Sequence, residues 1–349
     1  MDWILLAIAL VIILGGAELF TNGIEWVGEG LGLSEGAVGS VLAAVGTALP
    51  ETLLPLIAFV TGGSAAAVKD IGIGAILGAP LMLTTLAMFV LGVAVLVFSR
   101  GGRRSTDLDG DDAVILQDLG YFLAMYTLAF AAGLIHWRPL HWALAVFLLI
   151  GYGFYVRRHF ASPSGDEAEM QGETEVHQLH VWRWLSRLKK GGLPAYTKDS
   201  PMLPSYVQVA LALALIVGGA KMFIVGVDAI ATQLNVSALV LGLLIAPIAT
   251  ELPEKFNSVL WVRRKKDTLA LGNVTGALVF QSTFPVTLGL LLTSWRLEQE
   301  GLVAAVIALV AASTLWITMK IRGKFQAWLL LGQGVFYAGY VGYVVSRAN

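Results

Sequence analysis

Ten long apolar runs, nearly free of charge, restrict more than any other feature what this chain can become. They cover approximately residues 3–27, 36–61, 71–98, 113–134, 139–156, 205–231, 237–262, 268–293, 301–319 and 325–346. Each reaches or approaches the roughly 20 residues that a helix needs to cross the hydrocarbon of a bilayer. Hydrocarbon offers no partner to a backbone N–H or C=O, so a spanning segment must be a helix or part of a closed barrel. The runs are rich in Leu, Ala and Gly and lack the two-residue alternation of a barrel strand. Composition agrees: 57% of the 349 residues are hydrophobic and 13% charged, with a mean hydropathy of +0.76, far from a soluble domain. The expected fold class is an all-α integral membrane protein with ten transmembrane helices.

Charge sets the expected orientation. Of the 23 Lys and Arg residues, 17 fall in loops that share one side, among them Arg100, Arg103, Arg104, Arg157, Arg158, Arg183, Arg187, Arg263 to Lys266, Lys320, Arg322 and Lys324. The positive-inside bias puts that side in the cytoplasm and the N-terminus outside. The opening "MDWILLAIALVIILGG" has no basic lead and no small-residue cleavage site, so it reads as a retained first span rather than a signal peptide. A net charge of -1 argues against nucleic acid as a partner, and the absence of cysteine excludes disulfides, thiol chemistry and cysteine-held metals.

The chain also resembles itself. Shifted by 203 residues, 15–51 lies on 218–254 without a gap, and 13 of the 37 positions are identical. The informative matches are Phe20 on Phe223, Ser34 on Ser237, Thr47 on Thr250, Pro50 on Pro253 and Glu51 on Glu254. A second block, shifted by 198, lays Gly74, Gly78 and Ala79 on Gly272, Gly276 and Ala277. Residues 1–156 and 205–349 therefore read as two five-helix repeats, with residues 157–204 as a cytoplasmic loop between them. Because each copy has an odd number of spans, the second enters the membrane from the opposite side. Inverted repeats of this kind mark many secondary transporters, whose sites lie near mid-membrane between the copies.

Each copy places Pro-Glu inside an apolar run, in "AVGTALPET" and in "PIATELPEKF". Proline cannot donate to the carbonyl four residues earlier, so Pro50 frees the carbonyl of Gly46 and Pro253 that of Ala249. Thr47 and Thr250 add hydroxyl oxygens on the same turns. Glu51 and Glu254 follow, each costing several kcal/mol in lipid if left unpaired. Two carboxylates, two hydroxyls and loosened carbonyls would make an all-oxygen cage suited to a hard cation such as Ca²⁺, and Na⁺ could compete for the same oxygens. A purely structural kink, capped by a glutamate, would account for one copy more easily than for two.

The segments "GAELFTNGIEWVGEGLGLSEGAVGSVLAAVGTALPET" and "GAKMFIVGVDAIATQLNVSALVLGLLIAPIATELPE" resemble the two α-repeats of the sodium/calcium exchanger superfamily, over about 15–90 and 218–290. The resemblance implies Glu51 and Glu254 as central Ca²⁺ ligands, with Thr47 and Thr250 supplying Na⁺ or Ca²⁺ oxygens. It implies transported Ca²⁺ and Na⁺ without a cofactor, in a multi-pass monomer of a prokaryotic cell membrane whose partners are small cations and lipid. It also assigns Glu18 and Lys221 structural or gating roles. The ion helices would be the second, third, seventh and eighth, with the long first and sixth sliding to give alternating access.

In that family each repeat carries a G-T-S-x-P-E-like signature and the following helix a G-N-x-x-G-S-N-like one, and several residues here depart from them. The signature serine is Ala48 in one copy and Glu251 in the other. Helix 3 has Ala75, Ala79 and Pro80 where oxygens are expected, and helix 8 keeps Asn273 but has Ala277 and Leu278. Thr84, Thr85, Gln281, Ser282 and Thr283 lie one or two turns on and could compensate. Lys255 could pair with Glu251, stand in for a Na⁺, or snorkel to the inner surface. These changes leave H⁺ open as the coupling ion, and leave open a non-transporting sensor on the same scaffold. The full candidate set is Glu51, Glu254, Thr47, Thr250, Glu251, Asn273, Gly46 and Ala249.

Two further stretches call for a reading. "TDLDGDDAV" looks like the start of a calcium loop but lacks its glycine after Asp111, and its twelfth position, Asp118, falls in helix 4; it reads as a solvated acidic loop. In "VWRWLSRLKK", Trp182, Trp184, Leu185 and Leu188 alternate with basic residues, which suggests a short helix lying on the inner leaflet. The five histidines receive no role.

Overall fold

The computed structural model describes residues 2–31, 43–61, 66–102, 104–161, 178–189, 194–197 and 200–348. The chain is helical almost throughout. The long helices are α1 (Asp2–Gly30), α2 (Ala43–Thr61), α3 (Ala66–Ser99), α4 (Asp112–Leu134) and α5 (Arg138–Ala161), then, after a short α6 (His180–Leu188), α7 (Leu203–Leu234), α8 (Ala238–Arg263), α9 (Asp267–Leu292), α10 (Gln299–Arg322) and α11 (Ala327–Ala348). Among the described residues eight helices are long and apolar enough to cross a membrane. Within the two helices that bear Pro-Glu, the described residues include the apolar stretches Pro50–Thr61 and Ala238–Ile248.

Two compact units are present, and each is described by itself. The first is Met1–Leu54 with Glu167–Gly226; the second is Pro55–Asp166 with Val227–Asn349. Both interleave segments from the two halves of the chain.

In the first unit α1 packs on α7 through small residues. Gly16 lies against Ile216 and Ala212, Gly219 against Ile13 and Ala9, and Gly23 against Val209. Phe20, Ala212 and Ile216 form a buried cluster there. Apolar lipid gives helices no hydrophobic reason to associate, so close backbone approach at glycine supplies the contact.

The second unit is organised around α3 and α8. A side chain on Gly74 or Gly78 would overlap the carbonyl of Leu239 or Leu243, and one on Gly242 would lie 2.7 Å from the carbonyl of Ile71. The sequence spacing Gly74-x-x-x-Gly78 is the small-residue pattern that brings two membrane helices together. Their matches in the second copy are looser among the described residues: a side chain on Gly272 would meet nothing within 4 Å, and one on Gly276 would meet the Tyr155 hydroxyl at 3.6 Å.

Pro80 removes one backbone donor from the middle of α3, and a π-turn follows at Leu83–Ala87. Thr84 Oγ1 donates to the Pro80 carbonyl at 2.8 Å, and Thr85 Oγ1 donates to Leu81. Hydroxyls thus satisfy carbonyls that the distorted turn leaves over. Around this pair stand α9 against α4 and α5, α10 against α4, and α11 against the C-terminal half of α3, where Gly92 meets Leu330 and Leu331. Trp295 is wholly buried with its indole N–H donating to Ala129 O at 3.0 Å. Arg138, at the start of α5, donates to the last carbonyls of α9, those of Leu290, Leu291 and Thr293, where a helix end leaves acceptors over.

The acidic loop before α4 is structured rather than merely solvated. Asp107–Leu108 pairs as a short antiparallel strand with Phe325–Gln326. Asp111 caps α4 by accepting from the backbone of Ala113 and Val114. Arg104 bonds Asp267 at 2.8 Å and the carbonyl of Val262, and Asp109 N–H donates to the same Asp267 carboxylate. Lys324 lies 2.6 Å from Asp107, whose hydrogen bond and charge hold the ammonium above its ordinary pKa. The Asp107 and Asp111 carboxylates of the loop are thus engaged by protein groups, while Asp109 and Asp112 are exposed.

Gly78→Val should force α3 and α8 apart. Overpacking at a backbone contact costs about 1–3 kcal/mol or more, read as a lowered unfolding midpoint in detergent. Gly272→Val, at the matched but open position, should cost well under 1 kcal/mol by the same measurement.

Candidate functional site

Both Pro-Glu motifs lie within continuous helix. Helix α2 runs through Pro50 and α8 through Pro253 without interruption, so each proline omits one hydrogen bond but does not divide its helix as an opened turn would. Gly46 and Thr47 belong to α2, and Ala249 and Glu254 to α8; their side chains lie outside the described residues, as does that of Lys255. The expected meeting of Glu51 with Glu254, and the expected Glu251–Lys255 pair, therefore also fall outside them.

Glu51, on the turn after Pro50, is buried, with 8% of its surface exposed. Thr250 is buried on α8 and its hydroxyl donates to the carbonyl of Ala246 at 3.2 Å. That bond uses the proton and leaves the oxygen lone pairs able to face a cation. Glu251 is fully buried, and its Oε1 accepts from Gln281 Nε2 at 3.0 Å. Asn273 Nδ2 donates to Ser258 Oγ at 2.8 Å, so its amide oxygen points its acceptor capacity elsewhere. Helices α8 and α9 are thus joined by two polar pairs, Glu251–Gln281 and Ser258–Asn273. Among the eight candidates, the second unit brings the Glu251 and Asn273 partners to one helix–helix seam.

Among the residues named as possible substitutes for lost oxygens, Gln281 has the clearest position, at a buried carboxylate. Ser282 donates to Val279 at 2.9 Å and Thr283 to Val279 and Phe280. These hydroxyls serve their own helix in the way Thr84 and Thr85 serve theirs.

One buried carboxylate received no role from the sequence. Asp118 is 1% exposed on α4, and accepts from Thr275 Oγ1 of α9 at 2.6 Å and from the Tyr155 hydroxyl of α5 at 3.0 Å. The signal was available: an aspartate seven residues into an apolar helix is rarely idle. The sequence reading placed Asp118 in the fourth helix, as the structure does, without giving it a partner. Thr275 sits inside the "GNVTGA" stretch, so this carboxylate fixes the same part of α9 that Asn273 joins to α8.

The comparisons with known proteins agree with this architecture. The family model described as sodium/calcium exchanger protein matches residues 1–160 and 204–346. CaxA of Alkalimonas amylolytica is 23% identical over 347 residues, covering 97% of this chain and 96% of that protein. The inner membrane protein YrbG of Escherichia coli (strain K12) is 22% identical, covering 94% and 95%. Among solved structures, the H⁺/Ca²⁺ exchanger CAX superposes with a TM-score of 0.72 at 15% identity, over 97% of this chain and 82% of that one. The sodium-calcium exchanger NCX_Mj gives 0.54 at 20% identity, over 98% of both. At these identities the structures speak for the fold alone.

Gln281→Leu removes a donor from the buried Glu251 carboxylate and should cost about 1–3 kcal/mol of stability. Adding Glu251→Gln, which removes the charge needing that donor, should recover most of the loss in the same detergent melt.

Proposed function

Because the chain belongs to the sodium/calcium exchanger protein family, we propose that it is a secondary antiporter that exports Ca²⁺, or a related divalent cation, in exchange for Na⁺. The observation that carries this reading is the Thr-x-Leu-Pro-Glu turn, present in two helices of a multi-pass membrane protein, with a buried carboxylate on each: Glu51 on α2 and Glu251 on α8. A buried carboxylate in lipid needs a counter-charge, and a divalent ion supplies one that can leave.

In this reading Glu51 and Glu254 give the two negative charges that balance Ca²⁺. Thr47, Thr250 and the carbonyls of Gly46 and Ala249 complete an oxygen shell, since Ca²⁺ takes six to eight oxygens at about 2.3–2.6 Å. Glu251 and Asn273 belong to its border, where the Gln281 and Ser258 bonds hold them in orientation. The membrane plan is ten spans in two inverted repeats, N-terminus outside, as a monomer in a prokaryotic plasma membrane. Alternating access follows if the long helices α1 and α7 slide while the ion helices α2, α3, α8 and α9 hold the ions. An empty cage bearing two negative charges should not pass through the occluded state easily, and that reluctance couples the two ion loads.

Proton coupling is the second reading, and one feature favours it. Glu251 adds a carboxylate where the family signature has a serine, while Ala75, Ala79, Ala277 and Leu278 remove Na⁺-type oxygens. A site richer in carboxylate and poorer in hydroxyl suits exchange of Ca²⁺ for H⁺.

Radiotracer flux in proteoliposomes, with Na⁺ and pH gradients imposed separately, decides between them. Wild-type protein should take up ⁴⁵Ca against an outward Na⁺ gradient at constant pH; uptake driven only by a pH gradient assigns the proton. Glu51→Gln and Glu254→Gln should each reduce flux at least 100-fold while preserving a monodisperse, cooperatively melting protein. Full flux in either variant would remove these residues from the role.

A further inference from the structure

The stretch joining the two halves of the chain carries a structure that ion exchange does not require. Helix α6 is docked on the first unit by two side chains belonging to other helices. The first N–H groups of any helix lack intrahelical acceptors. Here the N–H of His180 donates to Asn22 Oδ1 of α1 at 3.1 Å, and that of Val181 to Gln208 Oε1 of α7 at 2.7 Å. Gln208 Nε2 in turn donates to Asn22 Oδ1 and to the carbonyl of Leu19, both at 2.9 Å. Asn22 and Gln208 are buried in an apolar unit, so breaking the arrangement would leave costly unpaired amides.

The docking has a second layer. Leu179, Trp26 and Tyr196 are buried together, with Trp182 against them. The Tyr196 ring meets Trp26 edge-on at 4.8 Å and lies 5.2 Å from Trp182. Its hydroxyl reaches Ser205 Oγ at 2.8 Å, at the start of α7. His180, given no role from sequence, lies 3.3 Å from Glu18 of α1 on one ring nitrogen and 3.3 Å from Arg183 on the other.

The opposite side of α6 is uncovered. Val181, Trp184, Leu185 and Leu188 follow the i, i+3, i+4, i+7 spacing of one stripe, and Trp184 and Leu188 are 59% and 64% exposed. Arg183 and Arg187 share the neighbouring face, with Lys189 beyond them, all exposed. Apolar residues flanked by cations fit the boundary of an anionic leaflet, with the stripe among acyl chains and the basic groups at phosphates.

We propose that α6 is seated on anionic phospholipid and that Asn22 and Gln208 transmit its seating to α1 and α7, so that lipid charge regulates this helix pair. As regulation of transport the proposal rests on the exchanger reading; as a lipid-dependent clamp it does not. Lipid that holds α6 in place also holds the caps in place, which restrains the ends of α1 and α7. Neutral lipid releases the basic face, and the caps then become the weakest part of the unit.

The test uses the full chain in proteoliposomes of phosphatidylcholine, with and without phosphatidylglycerol. The protein has no cysteine, so Leu188→Cys carries a single nitroxide label. With phosphatidylglycerol the label should be accessible to oxygen and shielded from a water-soluble nickel complex; adding Arg183→Glu and Arg187→Glu should raise nickel accessibility at least fivefold. Hydrogen exchange at residues 19–26 and 203–210 should slow at least threefold with anionic lipid, and lose that response in the double reversal or in Asn22→Ala with Gln208→Ala. A label exposed to water in both lipids, or shielded from oxygen and nickel alike as by a second protein copy, overturns the seat. An immersed label with exchange indifferent to lipid charge overturns the coupling. Neither readout requires transport, so failure here and failure of the exchanger reading remain distinct.

Discussion

The close approach of α3 and α8 governs what the second unit can do. Gly74 and Gly78 let the backbone of α8 come so near that Leu239 and Leu243 leave no room for a side chain, and Gly242 returns the arrangement towards Ile71. In water such a contact would be one among many, supported by hydrophobic burial. In lipid it must hold by packing and by the few polar pairs that the helices share. Helix α8 also carries Thr250, Glu251 and Glu254, so the packing that builds the unit fixes the position of the candidate ligands. A site of carboxylates needs such a support, because the charges repel one another whenever no cation is present.

Polar groups within the bundle fall into two kinds. Thr84, Thr85, Thr250, Ser282 and Thr283 donate to carbonyls of their own helices. Glu251–Gln281, Asn273–Ser258 and Asp118 with Thr275 and Tyr155 connect different helices. The first kind lets a helix bearing proline or a π-turn remain in lipid. The second gives each helix a register against its neighbour, and all three connections converge on α9. That helix is therefore the most constrained in the second unit, which suits a fixed wall better than a moving one.

Much of this was legible in the sequence, for physical reasons that also mark where legibility ended. The spans followed from hydrophobic length, since the bilayer imposes one length on every helix, and 113–134, 205–231 and 268–293 fall within a few residues of α4, α7 and α9. The Pro-Glu turns were visible because proline and charge are both exceptional in lipid. The uninterrupted helix through Pro50 and Pro253 was not, because one missing hydrogen bond can be absorbed by the turns around it. Gln281 could be named only as a candidate, since an amide's role depends on which carboxylate faces it across a helix seam. The partners of Asp118 were hidden for the same reason: Thr275 and Tyr155 are 157 and 37 residues away.

The internal repeat carries a further lesson. Gly74 and Gly78 have counterparts in Gly272 and Gly276, yet the first pair is packed against backbone and the second, among the described residues, is nearly open. Identity retained across the copies thus does not imply the same use. One copy puts its small residues into a helix contact, while the other places Thr275, between its two glycines, on the buried Asp118 carboxylate. The same divergence separates Ala48 from Glu251 on the two Pro-Glu helices. A duplicated scaffold can keep its fold-level symmetry while each copy takes a different part of the work, one holding helices together and the other supplying charge.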